Sequence, residues 1–254
     1  MTLRPVTLCV AIIAASAAPA VLASQAPGHF PPDSLINVKV IPKNTPVMQV
    51  IGMMRNFTFG LGVRCPFCHV GQEGQPLATF DFAKDEKRTK LTARQMMRMA
   101  EEVNHRLDTL PEHEKMTSHV EVTCVTCHRG VSRPMPLEQL IQETATTAGA
   151  DSASRAYRAL RERYYGRAAY DFGEPTLDVA AFRLARAGKF AEAFAILKLN
   201  EDQFPTSSNL STFRGNISLM KGDTAAAIAA FREAVRRDST NGEAQGRLRQ
   251  ITRP

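Results

Sequence analysis

Through most of the 254-residue chain, apolar positions recur at helical rather than strand spacing. In "NTPVMQVIGMMRNFTFGLGVRC", Val47, Val50, Met54, Phe57 and Leu61 fall on one helical face. Thr45 suits the N-cap and Pro46 the first turn, where a missing N–H costs nothing. In "TKLTARQMMRMAEEVNHRL", Met96, Met99, Ala100, Val103 and Leu107 share a face, and Thr92 with Gln95 fits a capping box. A short helix is expected from Leu137 to Thr147, followed by an Ala/Gly/Ser linker. The Arg- and Tyr-rich "RAYRALRERYYGR" then reads as a solvated amphipathic helix.

From about residue 175 the pattern repeats itself. "ARAGKFAEAFAILKLNEDQFP" and "LMKGDTAAAIAAFREAVRRDS" place Gly188 and Gly222 34 residues apart, with Ala193 matching Ala227 and Asn200 matching Ala234. That period is the tetratricopeptide length, and small residues at these offsets allow close helix packing. The reading is about two helical-hairpin repeats with a capping helix, Gly242 to Ile251. Two repeats are marginal alone, so they are expected to pack on the preceding helix or domain. They either bind a peptide or protein segment or simply cap the fold.

The N-terminus, "MTLRPVTLCVAIIAASAAPAVLAS", has one basic residue, Arg4, an apolar run and a small-residue site at Val21-Leu22-Ala23. This fits a signal peptide over residues 1–23 and export to the periplasm. An uncleaved anchor is the rival, but the run from Val6 is barely long enough and Pro19 interrupts it. Net charge is +7 and spread along the chain. It reads as solvated basic helices, or as a surface that steers an acidic redox partner. Nucleic acid is a poor fit for an exported chain.

Of five cysteines, Cys9 lies in the signal segment without a lipobox. The other four form "CPFCH" and "CVTCH": Cys65, Cys68, His69, then Cys124, Cys127, His128. Two thiols spaced by two residues reach the two vinyl groups of one porphyrin edge, and the next histidine supplies the iron's fifth ligand. Two covalently attached haems c are therefore expected. A zinc knuckle would bring its cysteine pairs ~15–20 residues apart, whereas 55 residues separate these. A thiol–disulfide centre would need a βαβ context, and neither rival explains a histidine after both pairs. A methionine as sixth ligand raises the reduction potential and suits electron transfer. A Met stripe at helical spacing is, however, usually core packing.

Residues 46–136 resemble the cytochrome c subunit of bacterial photosynthetic reaction centres, through "CPFCHV", "DFAKDEKRTKLTARQMMRMAEEVN" and "VTCVTCHRG". In that family each haem unit is a helix carrying the axial Met, a turn, then CxxCH. The resemblance implies Met96 as sixth ligand of the second haem and Met54, with Met53 in reserve, for the first. The family subunit has four haems and uses a histidine before its second CxxCH to ligate a distant one. Here His105, His113 and His119 occupy that region with no third CxxCH to receive them, so they are read as surface residues.

The expected fold is mainly α, with little regular sheet. A dihaem c-type cytochrome domain over 24–136 follows the signal peptide; a helical linker over 137–172 leads to tetratricopeptide-like repeats over 173–254. The expected function is one-electron transfer by a periplasmic carrier, not an enzyme, to or from a redox partner protein or a membrane electron-transfer complex. A dihaem peroxidase is the enzyme alternative, but 59 residues between motifs is tight for two haem domains. An exported repeat scaffold with structural haems is the third reading.

Overall fold

The computed structural model describes residues 29–111 and 121–253. The expected signal peptide over 1–23, Cys9, His113 and His119 lie outside the described residues. Among those described are ten α-helices and one isolated antiparallel bridge, Val70 to Asp81, so the fold is mainly α without a sheet.

The first helix, α1, runs Val47–Leu61. Pro46 rather than Thr45 is its N-cap: Pro46 is extended at ψ 138°, and its carbonyl accepts from the N–H of Val50. Gly62 ends α1 in the left-handed region at φ 65°, the conformation that glycine adopts without a Cβ clash. Helix α2, Arg88–Asp108, starts four residues before Thr92, and no side chain caps it. The expected capping box is therefore absent. Tertiary bonds from Lys87 and Thr89 hold this end of the helix instead. The capping box appears on the short α3, Cys124–His128, between Thr123 and Thr126.

The segment expected to be an Ala/Gly/Ser linker is helical but for Gly149. Helices α4, Leu137–Ala148, and α5, Ala150–Tyr164, meet there as a hairpin. Leu137, Ile141, Ala153 and Tyr157 from this hairpin are buried in one core with α6, α7 and α8. The Arg/Tyr helix α5 is thus amphipathic but not merely solvated.

Helices α6 (Glu174–Arg186) and α7 (Phe190–Gln203) form one hairpin, α8 (Ser208–Lys221) and α9 (Thr224–Arg237) the next. The starts of α6 and α8 and both boundaries of α7 and α9 differ by 34 residues, and α10, Gly242–Ile251, starts 34 residues after α8. The two turns pass through Gly188 at φ 75° and Gly222 at φ 86°. Ala193, Asn200, Ala227 and Ala234 are all fully buried. The N-caps repeat as well: Ser207 Oγ donates to Glu174 Oε1 at 2.8 Å, and Asn241 Nδ2 donates to Ser208 Oγ at 3.2 Å. Each cap therefore ties a helix to the start of the one 34 residues before it.

Packing is uneven along the chain. Within 29–136 the buried apolar residues are Ile41, Val50 and Val131 alone among the described ones, while Ile36, Met48, Phe59, Met99 and Val125 are more than half exposed. The C-terminal half closes over its own apolar side chains; the CxxCH half does not.

Inside the repeats, Asp178 is buried on α6 and accepts a hydrogen bond from Asn200 Nδ2 at 2.9 Å. Burial pushes its carboxyl up to about 7, against the smaller opposing pull of Asn200. The folded state holds this proton where the unfolded chain, with an Asp near ~3.9, has lost it. Stability from Asp178 is complete below the unfolded value and is lost as pH rises through about 7. Urea denaturation is expected to show the protein weaker by about 3 kcal/mol at pH 8 than at pH 5 through this group. D178N is expected to remove that part of the slope; an unchanged slope would refute the assignment.

Candidate haem-binding site

The first CxxCH follows Gly62 directly. Cys65–Phe67 make one 3-10 turn, and the His69 N–H donates to the Cys65 carbonyl at 3.0 Å, so the imidazole emerges one turn beyond the first thiol. The ring packs edge-on against Phe82, with centroids 4.9 Å apart and planes at 66°. Burial first, then the charge of Lys90, pushes His69 down to about 4, while the Phe82 backbone pulls the other way. His69 is therefore neutral at pH 7, the form that offers a lone pair to a metal. Its Nδ1 is buried and has no well-formed hydrogen bond.

The second CxxCH is α3 itself. Thr123 accepts from the backbone and Thr126 Oγ1 accepts from the Thr123 N–H at 3.0 Å, closing both orphan donors of this short helix. Arg129 terminates it in the left-handed region at φ 50°. His128 Nδ1 lies 2.9 Å from the Val131 carbonyl. A carbonyl only accepts, so Nδ1 is the donor in this contact, and Nε2 is the nitrogen left to face a metal.

Burial pushes the thiols of Cys68 and Cys124 up. An exchange-active cysteine needs the opposite shift. All four cysteines are free thiols, and no three of His, Cys, Asp and Glu converge among the described residues. The geometry thus does not assemble a zinc knuckle.

Two helices join the motifs. The end of α1 lies against α3: the Gly130 N–H donates to the Gly60 carbonyl at 2.8 Å, and a Cβ on Gly60 would come 3.1 Å from Cys124 Cβ. A Cβ on Gly62 would sit 2.0 Å from the Gly130 carbonyl oxygen. So α1, which carries the half-buried Met53 and Met54, precedes the first motif in sequence yet packs on the second. Helix α2 spans both. Near its start, Lys87 Nζ donates to the Pro66 carbonyl and Thr89 Oγ1 to the Phe67 carbonyl, inside the first motif. Near its end, Asn104 takes both backbone groups of Val122: Nδ2 donates to the carbonyl at 2.9 Å and Oδ1 accepts from the N–H at 2.7 Å. Met96 lies between these anchors, 38% exposed, and Met99 one turn on is 52% exposed. Among the described residues no other helix runs closely alongside α2. His105 is exposed on the same helix.

Sequence reasoning missed Asn104, Lys87 and Thr89. The one signal available was a polar Asn104 bordering an apolar stripe, where a polar group demands a partner.

An apolar stripe bearing thioethers, two imidazoles and four thiols are the side-chain types that could hold a thioether-linked haem. Residues 65–170 match the family model of the photosynthetic reaction centre cytochrome C subunit. The likeness read from the sequence is thereby shown, with other limits than 46–136: it starts at Cys65, covers both CxxCH segments and α2, and continues through α5. Helix α1 and α6–α10 lie outside it. No curated protein matches the chain. The matched family is one of haem c electron-transfer proteins rather than enzymes. Among the described residues no helix is long and apolar enough to cross a membrane.

Replacing Asn104 by Leu removes both bonds to Val122 and is expected to cost roughly 2 kcal/mol of stability, at about 1 kcal/mol per hydrogen bond. Chemical denaturation of wild type and N104L measures this directly. Equal midpoints would show that α2 is not held there.

Proposed function

We propose that this chain is an exported, periplasmic dihaem c-type cytochrome that relays single electrons between protein partners. The observation that carries it is the placement of two CxxCH segments at the two ends of α2, whose methionine stripe is partly exposed with no other described helix closely alongside. Cys65 and Cys68 would hold one haem and Cys124 and Cys127 the other, with His69 and His128 as fifth ligands. Met54, or Met53 beside it, would be the sixth ligand of the first. Met96 would serve the second, and Met99 on the same exposed stripe is the neighbour to test with it.

The haem, once bound, supplies the reversible iron redox couple. The chain's own residues set its surroundings. His128 is held in one tautomer by Val131, and His69 is kept neutral by burial. The exposed apolar side chains of α1 and α2 supply surface for the macrocycle, at about 25 cal/mol for each Å² removed from water.

The N-terminal apolar run supports export. We further propose residues 24–136 as the haem domain, with α4–α5 joining it to a tetratricopeptide-like pair, α6–α7 and α8–α9, that docks a redox partner. The 34-residue recurrence of helix boundaries supports that reading of the repeats.

The test is the intact mass of the mature protein from a host with cytochrome c maturation. Two added haems are expected, and none would end the reading. M54A and one of M96A or M99A are then each expected to convert one haem to a high-spin form that binds carbon monoxide rapidly. Spectra unchanged across M53A, M54A, M96A and M99A would exclude methionine ligation.

A further inference from the structure

Beside the first motif lies a clamp that neither the motif nor the repeats require. Lys90 on α2 is only 9% exposed. Its Nζ donates to three successive carbonyls, of Phe82 at 2.9 Å, Ala83 at 3.0 Å and Lys84 at 2.7 Å, and pairs with Asp85 at 3.0 Å. Arg94, one helical turn on, takes the other Asp85 oxygen at 2.8 Å and the Asn37 carbonyl at 2.9 Å. Asn37 Nδ2 donates to the Ala83 carbonyl at 2.6 Å. Asp81 accepts from the N–H groups of Ala83 and Lys84, both at 3.0 Å. The loop from 81 to 85 is thereby bonded on every side. Its Phe82 ring is the one packed on His69.

We infer that Lys90, with Asp85 and Arg94, is a positioning residue for the first haem: it presents the Phe82 carbonyl to His69 Nδ1 and, by placing a cation on that carbonyl, raises the reduction potential at the iron His69 would hold. The inference rests on the dihaem reading above. Metal-bound histidine almost always donates its second N–H to a carbonyl or carboxylate, and the strength of that bond sets the ligand's basicity. At the second motif the acceptor is the Val131 carbonyl, which carries no lysine or arginine among the described residues. At the first, Nδ1 is buried with no hydrogen-bond partner, the Phe82 ring packs on the imidazole at 4.9 Å, and Lys90 grips the carbonyl of that same residue at 2.9 Å. A carbonyl already gripped by an ammonium has less charge to offer, so the imidazole gains less anionic character and stabilises ferric iron less. The buried charge of Lys90 acts in the same sense, because a nearby cation disfavours the more positive oxidation state. The two histidines are thus built alike but tuned apart.

Removing a cation in one variant and an anion in another separates tuning from mere structure. In the mature holoprotein, spectroelectrochemical titration of wild type, K90M, K90R and D85N is the experiment, with H69M identifying the first haem's wave. K90M is expected to lower that midpoint and leave the second haem's in place, K90R to retain most of it, and D85N, which frees two cations, to raise it. A loosened loop would instead move K90M and D85N in the same direction. That result, no movement, or equal movement of both waves overturns the inference while the haem reading stands. A mass showing no haem on Cys65 and Cys68 overturns both.

Discussion

Helix α2 is pinned at both ends by side chains that bond to backbone, and the placement of the two CxxCH segments follows from that. Thr89 reaches the Phe67 carbonyl and Asn104 reaches both polar groups of Val122. Fifteen residues of helix at ~1.5 Å rise put the anchors about 22 Å apart along the axis. Neither motif has regular structure beyond a turn or a five-residue helix to hold it, so a rigid rod does so. The contact of α1 with α3, where Gly60 and Gly62 leave room for the backbone of Cys124 and Gly130, braces the second motif from its other side.

The two halves of the chain satisfy folding's demands differently. From Leu137 onward, apolar side chains of successive hairpins bury one another. Before it, methionines and aromatics stay on the surface. Polar bonds hold that half together: the Asn104 pair, the Lys90–Asp85–Arg94 clamp and the Thr123–Thr126 capping box. On the dihaem proposal, this region of directional bonds and uncovered apolar surface would receive a large flat apolar group, fastened at the four thiols and two imidazoles.

The helices of the repeats were legible in sequence because Gly188 and Gly222 mark turns that need positive φ, and the alanines between them leave no other way to pack. The start of α2 was not. The capping box read at Thr92 and Gln95 put that start too late: Arg88–Leu91 are helical because Lys87 and Thr89 bond to a loop some twenty residues earlier. "TATTAGADSAS" reads as a flexible linker, yet α4 and α5 run through it because Ile141 and Tyr157 on either side are buried against α6 and α7. Local composition underestimates a helix whose stability comes from tertiary packing.

What the amino-acid order determined by itself was chemistry and period. Two CxxCH triplets carry their ligating groups within five residues, and the 34-residue recurrence is a matter of counting, so neither needs a distant contact to be recognised. What packs against each histidine, and which charge lies beside it, was decided only in three dimensions. His69 and His128 occupy the same place in identical triplets, but the chain returns Phe82 and Lys90 to one and Val131 to the other. Those partners lie at unrelated distances along the sequence, and only folding makes them neighbours.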